Sequence, residues 1–244
     1  IFFILLGITV SIIFSPENLR KFPKIMAHAD LRFFIVGCLL FSITWLCDAL
    51  ALKIILKRRG YEYSLLKALR TAMTGDFYAA VTPLASGGQP SQLYYLVRGD
   101  KVPFGVATAV LLNKSIVFHV VAVIYVCAVI LGNISAMAGI MGKTFIYAIL
   151  GLILSTIGTV LIILFYLQPV WIEKAVLYLF AKVNSIFPFK NAEKTEETIR
   201  ENIEEYKAGV KNLSDDKTML FLVGIVMTVW LTCYYSCGYF VYRA

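Results

Sequence analysis

Four ionisable side chains, Asp48, Asp76, Lys114 and His119, lie in strongly apolar stretches of the chain. A charge at the centre of a bilayer costs at least about 2.5 kcal/mol, so residues of this kind mark ion pairs, proton relays or contacts with a charged substrate. Asp48 precedes the end of its apolar run at Leu56 by eight residues, and Lys114 follows the start of its own at Phe104 by ten. Antiparallel helices would bring the two to nearly equal depth, roughly 12 to 15 Å in. Either the two pair, or Lys114 lends its charge to an anionic substrate group. A lysine that stabilises packing without meeting substrate fits the same spacing. Asp76 either answers Arg70 or Arg98 or titrates during transport. Asn113 and His119 flank Lys114, and a lone membrane histidine is more often a hydrogen-bonded packing residue than a proton carrier.

Asp76 belongs to the second informative stretch, GDFYAAVTPLASGGQPSQLYYL, residues 75–96, which is nearly apolar yet rich in Pro, Gly and Gln. Pro83 is expected to interrupt an incoming helix, Gly87 and Gly88 to permit a turn, and Pro90 to open an outgoing half-helix where a missing N–H costs nothing. The amide groups of SGGQPSQ and the positive end of the short helix dipole would then attract anions. Discontinuous helices of this kind hold the substrate site in many transporters. Gln89, Ser91 and Gln92 add neutral hydrogen-bonding groups, and Tyr94 and Tyr95 add amphipathic rings. The alternative is an ordinary loop between two surface helices.

The elements that position these residues follow from hydropathy. Of 244 residues, 59% are hydrophobic and only 16% charged, against roughly 25% charged in a soluble domain. Apolar runs reach the roughly 20 residues that a spanning helix requires. The expected fold is therefore all-α, a polytopic membrane helical bundle with a re-entrant broken-helix pair and a cytoplasmic amphipathic helical insert, in a fragment of a longer chain. Residues 1–167 form the expected bundle, with spans at 1–14, 31–56, 104–131 and 144–167 and the re-entrant segment at about 71–97. Residues 168–218 read as interfacial and cytoplasmic helices, and 219–244 as the start of a truncated further span. Ile199, Ile203, Tyr206, Val210 and Leu213 recur at helical spacing and define an apolar face on the insert.

Basic residues set the orientation. Between positions 53 and 101 stand Lys53, Lys57, Arg58, Arg59, Lys67, Arg70, Arg98 and Lys101 against Glu62, Asp76 and Asp100, whereas the 132–143 link holds one lysine. The positive-inside rule puts 53–101 and 168–218 in the cytoplasm, so residues 71–97 must leave and return on one face. The net charge of +8 is explained by this interface and by anionic lipid, with no call on nucleic acid. Five cysteines in apolar runs read as small packing residues. Cys233 and Cys237 stand one turn apart without further ligands nearby, and no Rossmann, Walker or zinc-protease pattern is present; no metal and no cofactor are expected.

TPLASGGQPSQLYYLVRGD, followed by a span with a central lysine in LLNKSIVFH, resembles the lysylphosphatidylglycerol synthase transmembrane region, the flippase-like membrane family. Thr-Pro, Gly-Gly and the following aromatics and Arg in residues 82–98 carry most of that match. The resemblance extends to the membrane half of the multiple peptide resistance factor. It implies a bacterial cell-membrane protein of antibiotic resistance that moves aminoacylated phosphatidylglycerol between leaflets, while a separate soluble aminoacyltransferase domain attaches lysine. The substrate-contacting set it implies, together with the turn, is Thr82, Pro83, Gly87, Gly88, Gln89, Gln92, Arg98 and Lys114, with a membrane phospholipid as partner. As the expected fragment of a longer chain, these 244 residues do not include the family's soluble domain or its later spans, and they offer no catalytic constellation for aminoacyl transfer. Three functions stay open: a lipid translocator, the membrane half of a lysyltransferase-type enzyme, and a scaffold whose helix at 191–213 recruits a partner.

Overall fold

Capping decides where the helices begin and end. Asp30 Oδ1 accepts the Arg32 amide at 2.9 Å and starts helix α1, Leu31–Arg58. Gly60, at φ 80°, ends it by turning the Gly60 and Tyr61 amides back onto Lys57 O and Leu56 O at 3.0 and 3.1 Å, a left-handed cap that suits glycine. Ser64 caps α2, Leu65–Val81. A 3-10 turn, Pro83–Ala85, leads into the short α3, Gly88–Tyr94, which closes in a π turn, Tyr95–Gly99. Then follow α4, Phe104–Gly132; α5, Phe145–Leu167; α6, Pro169–Ile186; and α7, Ala192–Asp215. The Asp216 carboxylate accepts the Met219 amide at 2.8 Å and opens α8, Lys217–Arg243.

This computed structural model describes residues 30–135, 142–186 and 192–244, together with positions 20, 23 and 139. The expected first span at 1–14 and His28 lie outside the described residues. Among the described residues there are eight helices and no strand. Four helices, α1, α4, α5 and α8, are long and apolar enough to cross a membrane, and the chain is a membrane helical bundle. The observed bounds fall within about two residues of the expected ones, because each span is bordered by charge, Pro or Gly.

α1 and α8 are antiparallel and make the most extensive contact. Asp30 N donates to Ala244 O at 2.8 Å at one end, and Arg58 meets Asp216 at 3.3 Å at the other. Phe33 lies tilted against Phe240 with ring centroids 6.1 Å apart, and the Arg243 guanidinium sits 5.6 Å from the Phe33 ring. α4 runs parallel to α8, joined by Phe118–Trp230 at 5.2 Å and Tyr125–Tyr235 at 6.0 Å. α5 returns beside α4, so the ends of α1 and α5 and the starts of α4 and α8 gather at one end of the bundle. There α7 lies across α4, with Ile203, Tyr206 and Val210 buried. That contact is close: a Cβ on Gly105 would come within 2.6 Å of Glu205 Cβ, and one on Gly209 within 2.6 Å of Ala109 Cβ. The apolar face expected on the insert therefore packs on a span through small residues; the Leu213 side chain lies outside the described atoms. Lys207, hydrogen-bonded to Glu173 at 2.8 Å, ties α7 to α6.

Candidate functional site

α2 and α3 fold back on each other as a hairpin laid along α1 and α4. Its base is pinned by Tyr63, whose hydroxyl donates to Asp100 Oδ2 at 2.5 Å and stands 2.9 Å from Thr71 Oγ1, while Lys67 meets Asp100 at 3.2 Å. Burial, then the hydrogen bond to Asp100, raises the Tyr63 phenol above its ordinary range, so it stays a donor at neutral pH. The tip reaches far from this base. Asp76 Oδ2 accepts from Trp45 Nε1 at 2.8 Å, and Gln89 Nε2 donates to Ser115 Oγ at 3.1 Å. Trp45 and Ser115 stand roughly 15 to 20 Å along α1 and α4 from the hairpin's base.

The turn is made differently from expectation. Gly87 is right-handed, at φ −80° and ψ −13°, and Ala85 takes the left-handed conformation at φ 55°. Gly87 is required for space: a Cβ there would lie 2.7 Å from Thr82 Cγ2 and 3.1 Å from Tyr78 O. Its amide is already used, donating to Thr82 Oγ1 at 2.8 Å. Gly88 is crowded likewise by Ala79 Cβ at 3.1 Å and Gly75 O at 3.2 Å. Pro90 is the third residue of α3 rather than the first, still in the turn whose amides have no intrahelical partner.

Inside the hairpin lies a cleft of about 340 Å³, walled by α1, α2, α3, α4 and α8. Lys114 Nζ donates to Asp48 Oδ1 and Oδ2, both at 2.9 Å, and to Gln92 Oε1 at 3.0 Å. An ammonium carries three N–H groups, and three acceptors surround this one. The Asp48–Lys114 pair, with side chains 20% and 11% exposed, is the pairing alternative rather than the lysine open to an anion. Gln92 is 6% exposed and is held by Gly75, where a Cβ would come within 2.7 Å of Gln92 Cγ.

Of the residues singled out from sequence, Asp48, Asp76, Gly88, Gln89, Gln92, Lys114 and His119 line this cleft. Thr82, Pro83 and Gly87 build its tip without lining it. Arg98 is exposed in the π turn, and neither it nor Arg70 forms an ion pair with Asp76 among the described residues; the partner found is the Trp45 indole. His119 Nδ1 sits 2.7 Å from Ser115 O, and since a carbonyl only accepts, Nδ1 carries the proton. Asn113 faces Tyr166 instead, donating to its hydroxyl at 3.3 Å. Sequence reading missed Trp45, Gly75, Ala85, Phe118, Met227 and Trp230. Trp45, one turn before Asp48, and Gly75, a glycine inside a helix, were visible signals; Met227 and Trp230 come from a distant span.

A family model described as "Lysylphosphatidylglycerol synthase TM region" matches residues 1–244. A UPF0104 membrane protein of Archaeoglobus fulgidus is 27% identical over 235 residues, which cover 91% of this chain and 69% of that protein. No solved structure matches the chain.

Proposed function

The chain belongs to the lysylphosphatidylglycerol synthase transmembrane-region family, and from that premise we propose that it is a lipid translocator, moving the head group of a phospholipid such as phosphatidylglycerol or its lysyl ester between leaflets. One observation carries the reading: a charged and hydrogen-bonding cleft sits beside the middle of span-length helices, walled on one side by a broken helix pair. Non-helical backbone at membrane depth survives only where protein buries it or a wet cavity adjoins it, and such a cavity is the means by which a polar head group crosses hydrocarbon. The hairpin enters and leaves on one face, and the basic residues at its base, Arg70 and Arg98 among them, face the cytoplasmic leaflet of the cell membrane and gather anionic lipid there. α6 and α7, from the stretch 168–218 expected in the cytoplasm, are assigned to that same face.

The test uses the protein in liposomes with fluorescent phosphatidylglycerol and its lysyl ester, read by access to a membrane-impermeant quencher. Fast exchange of at least one of the two lipids is expected for the wild type, and loss of that exchange for Lys114→Ala and for the Gly87→Val/Gly88→Val double variant, since one breaks the network and the other the crowded tip. Absence of exchange in the wild type overturns translocation; exchange indifferent to both variants removes this cleft as the route. A second reading, the membrane half of a lysyltransferase system, rests on the synthase named in the family's description. It would be favoured if a soluble aminoacyltransferase domain made lysyl-lipid only when this chain was present.

A further inference from the structure

The charges of the cleft do not balance. Lys114 gives its three N–H groups to Asp48 and Gln92, so the pair is internally neutral and has no donor left for an anion. Asp76, exposed on the cleft wall, has one neutral partner, the Trp45 indole N–H on Oδ2. Among the described residues it has no ion pair, and Oδ1 has no hydrogen bond. The other groups lining the cleft include no further carboxylate, lysine or arginine: Gln89 and Gln92 come from α3, Ser115 and His119, whose Nδ1 is held by Ser115 O, from α4, and Met227 and Trp230 from α8.

From this excess of one carboxylate we infer that the cleft selects a positively charged organic group, with Asp76 as its anchor and specificity-determining residue: the ammonium of a lipid head group. The inference rests on the translocator reading and names its substrate class. A head group bearing only negative charge would meet an uncompensated carboxylate, which repels it. A primary ammonium supplies the missing charge and the donor that Asp76 Oδ1 lacks. The walls suit an organic cation over a bare ion. Trp230 stacks on Tyr234 at 4.9 Å and meets Phe118 edge-on at 5.2 Å, and aromatic faces attract ammonium groups. The volume of about 340 Å³ corresponds to roughly eleven water molecules, room for a head group and far more than one monovalent ion fills. Trp45 keeps the Asp76 carboxylate oriented, and Gln89 and the His119 Nε2 edge leave hydrogen-bonding positions for the rest of the head group.

Binding is measured on the whole chain in detergent micelles by tryptophan fluorescence, with three short-chain probes: dihexanoyl phosphatidylethanolamine, its N-acetyl derivative, and dihexanoyl phosphatidylglycerol. The amine-bearing probe is expected to bind saturably, and the two probes without an ammonium about tenfold or more weakly. Asp76→Asn, which keeps an acceptor for Trp45, should abolish the preference; Asp76→Glu, which keeps the charge, should retain it. Trp45→Phe identifies the reporting indole. Equal binding of the three probes, or a preference unchanged in Asp76→Asn, overturns the proposal. Lipid movement without head-group preference would leave translocation standing and remove this site's selectivity. Selective binding that depends on Asp76, without lipid movement, would uphold the ammonium site and remove translocation.

Discussion

Asp48 and Lys114 should prove strongly coupled in stability. The perturbation is a cycle of Asp48→Asn, Lys114→Met and the double variant, chosen to preserve shape while removing charge. Both oxygens of Asp48 lie 2.9 Å from Lys114 Nζ, and the side chains are 20% and 11% exposed. Stranding one member of a buried pair costs about 3–5 kcal/mol; water reaching part of Asp48 reduces this, giving about 2–4 kcal/mol for either single change. The double variant strands no charge and should recover about 2 kcal/mol or more relative to the sum. Recovery stays incomplete because Gln92 Oε1 loses the donor that Lys114 provides at 3.0 Å, worth about 1 kcal/mol. Lys114→Met should be the worse single change, since it leaves the Asp48 and Asp76 carboxylates on one cleft with no cation between them. The assay is unfolding of the four proteins in one detergent, by heat or by denaturant. Additivity within about 0.5 kcal/mol would refute the pairing, and Asp48→Asn outranking Lys114→Met would refute the charge inventory of the cleft.

Three further outcomes are expected. Gly75→Ala should push Gln92 off Lys114, because the new methyl would come within 2.7 Å of Gln92 Cγ and 2.8 Å of Cδ; a loss of about 1–3 kcal/mol in unfolding experiments follows, relieved when Gln92→Ala is added. Tyr206→Phe should be neutral or stabilising by about 1 kcal/mol, since the buried Tyr206 hydroxyl has no hydrogen-bond partner among the described residues. Burial, then neighbouring Tyr166, raises the Tyr206 phenol to about 12, above the ordinary value near 10. Its contribution is thus present below about pH 10 and lost as pH rises towards 12, and an alkaline unfolding series should show that loss in the wild type and lack it in Tyr206→Phe. Ala85→Gly should stabilise by up to about 1 kcal/mol, as the left-handed φ of 55° strains an alanine by about 1–2 kcal/mol while glycine adds unfolded-state entropy of about half that. A destabilised Ala85→Gly in the same unfolding assay would show that the turn is not held against strain.

Much of the scaffold was legible because hydropathy and capping are local. Runs such as Leu31–Leu56 and Phe104–Leu131 stop where Lys, Pro or Gly begins, so their bounds could be read without neighbours. The depth of Asp48 and Lys114 was likewise a matter of counting 1.5 Å per residue from two visible ends. The tip of the hairpin was read for the wrong reason. Glycine suggests conformational freedom, yet Gly87 and Gly88 sit in ordinary helical conformation and are small because Thr82 and Ala79 press on them. Crowding belongs to the neighbour, and no local pattern announces it.

The sequence by itself determined that this is a membrane helical bundle with a broken segment and charges at matched depth, since each rests on the composition of a contiguous stretch. Only the tertiary structure decided what those charges do. It gave Lys114 to Asp48 and Gln92, left Asp76 with an indole, and brought Trp230 from the last helix to the same cleft. Charge balance is a property of groups that meet in space, and here they come from five helices.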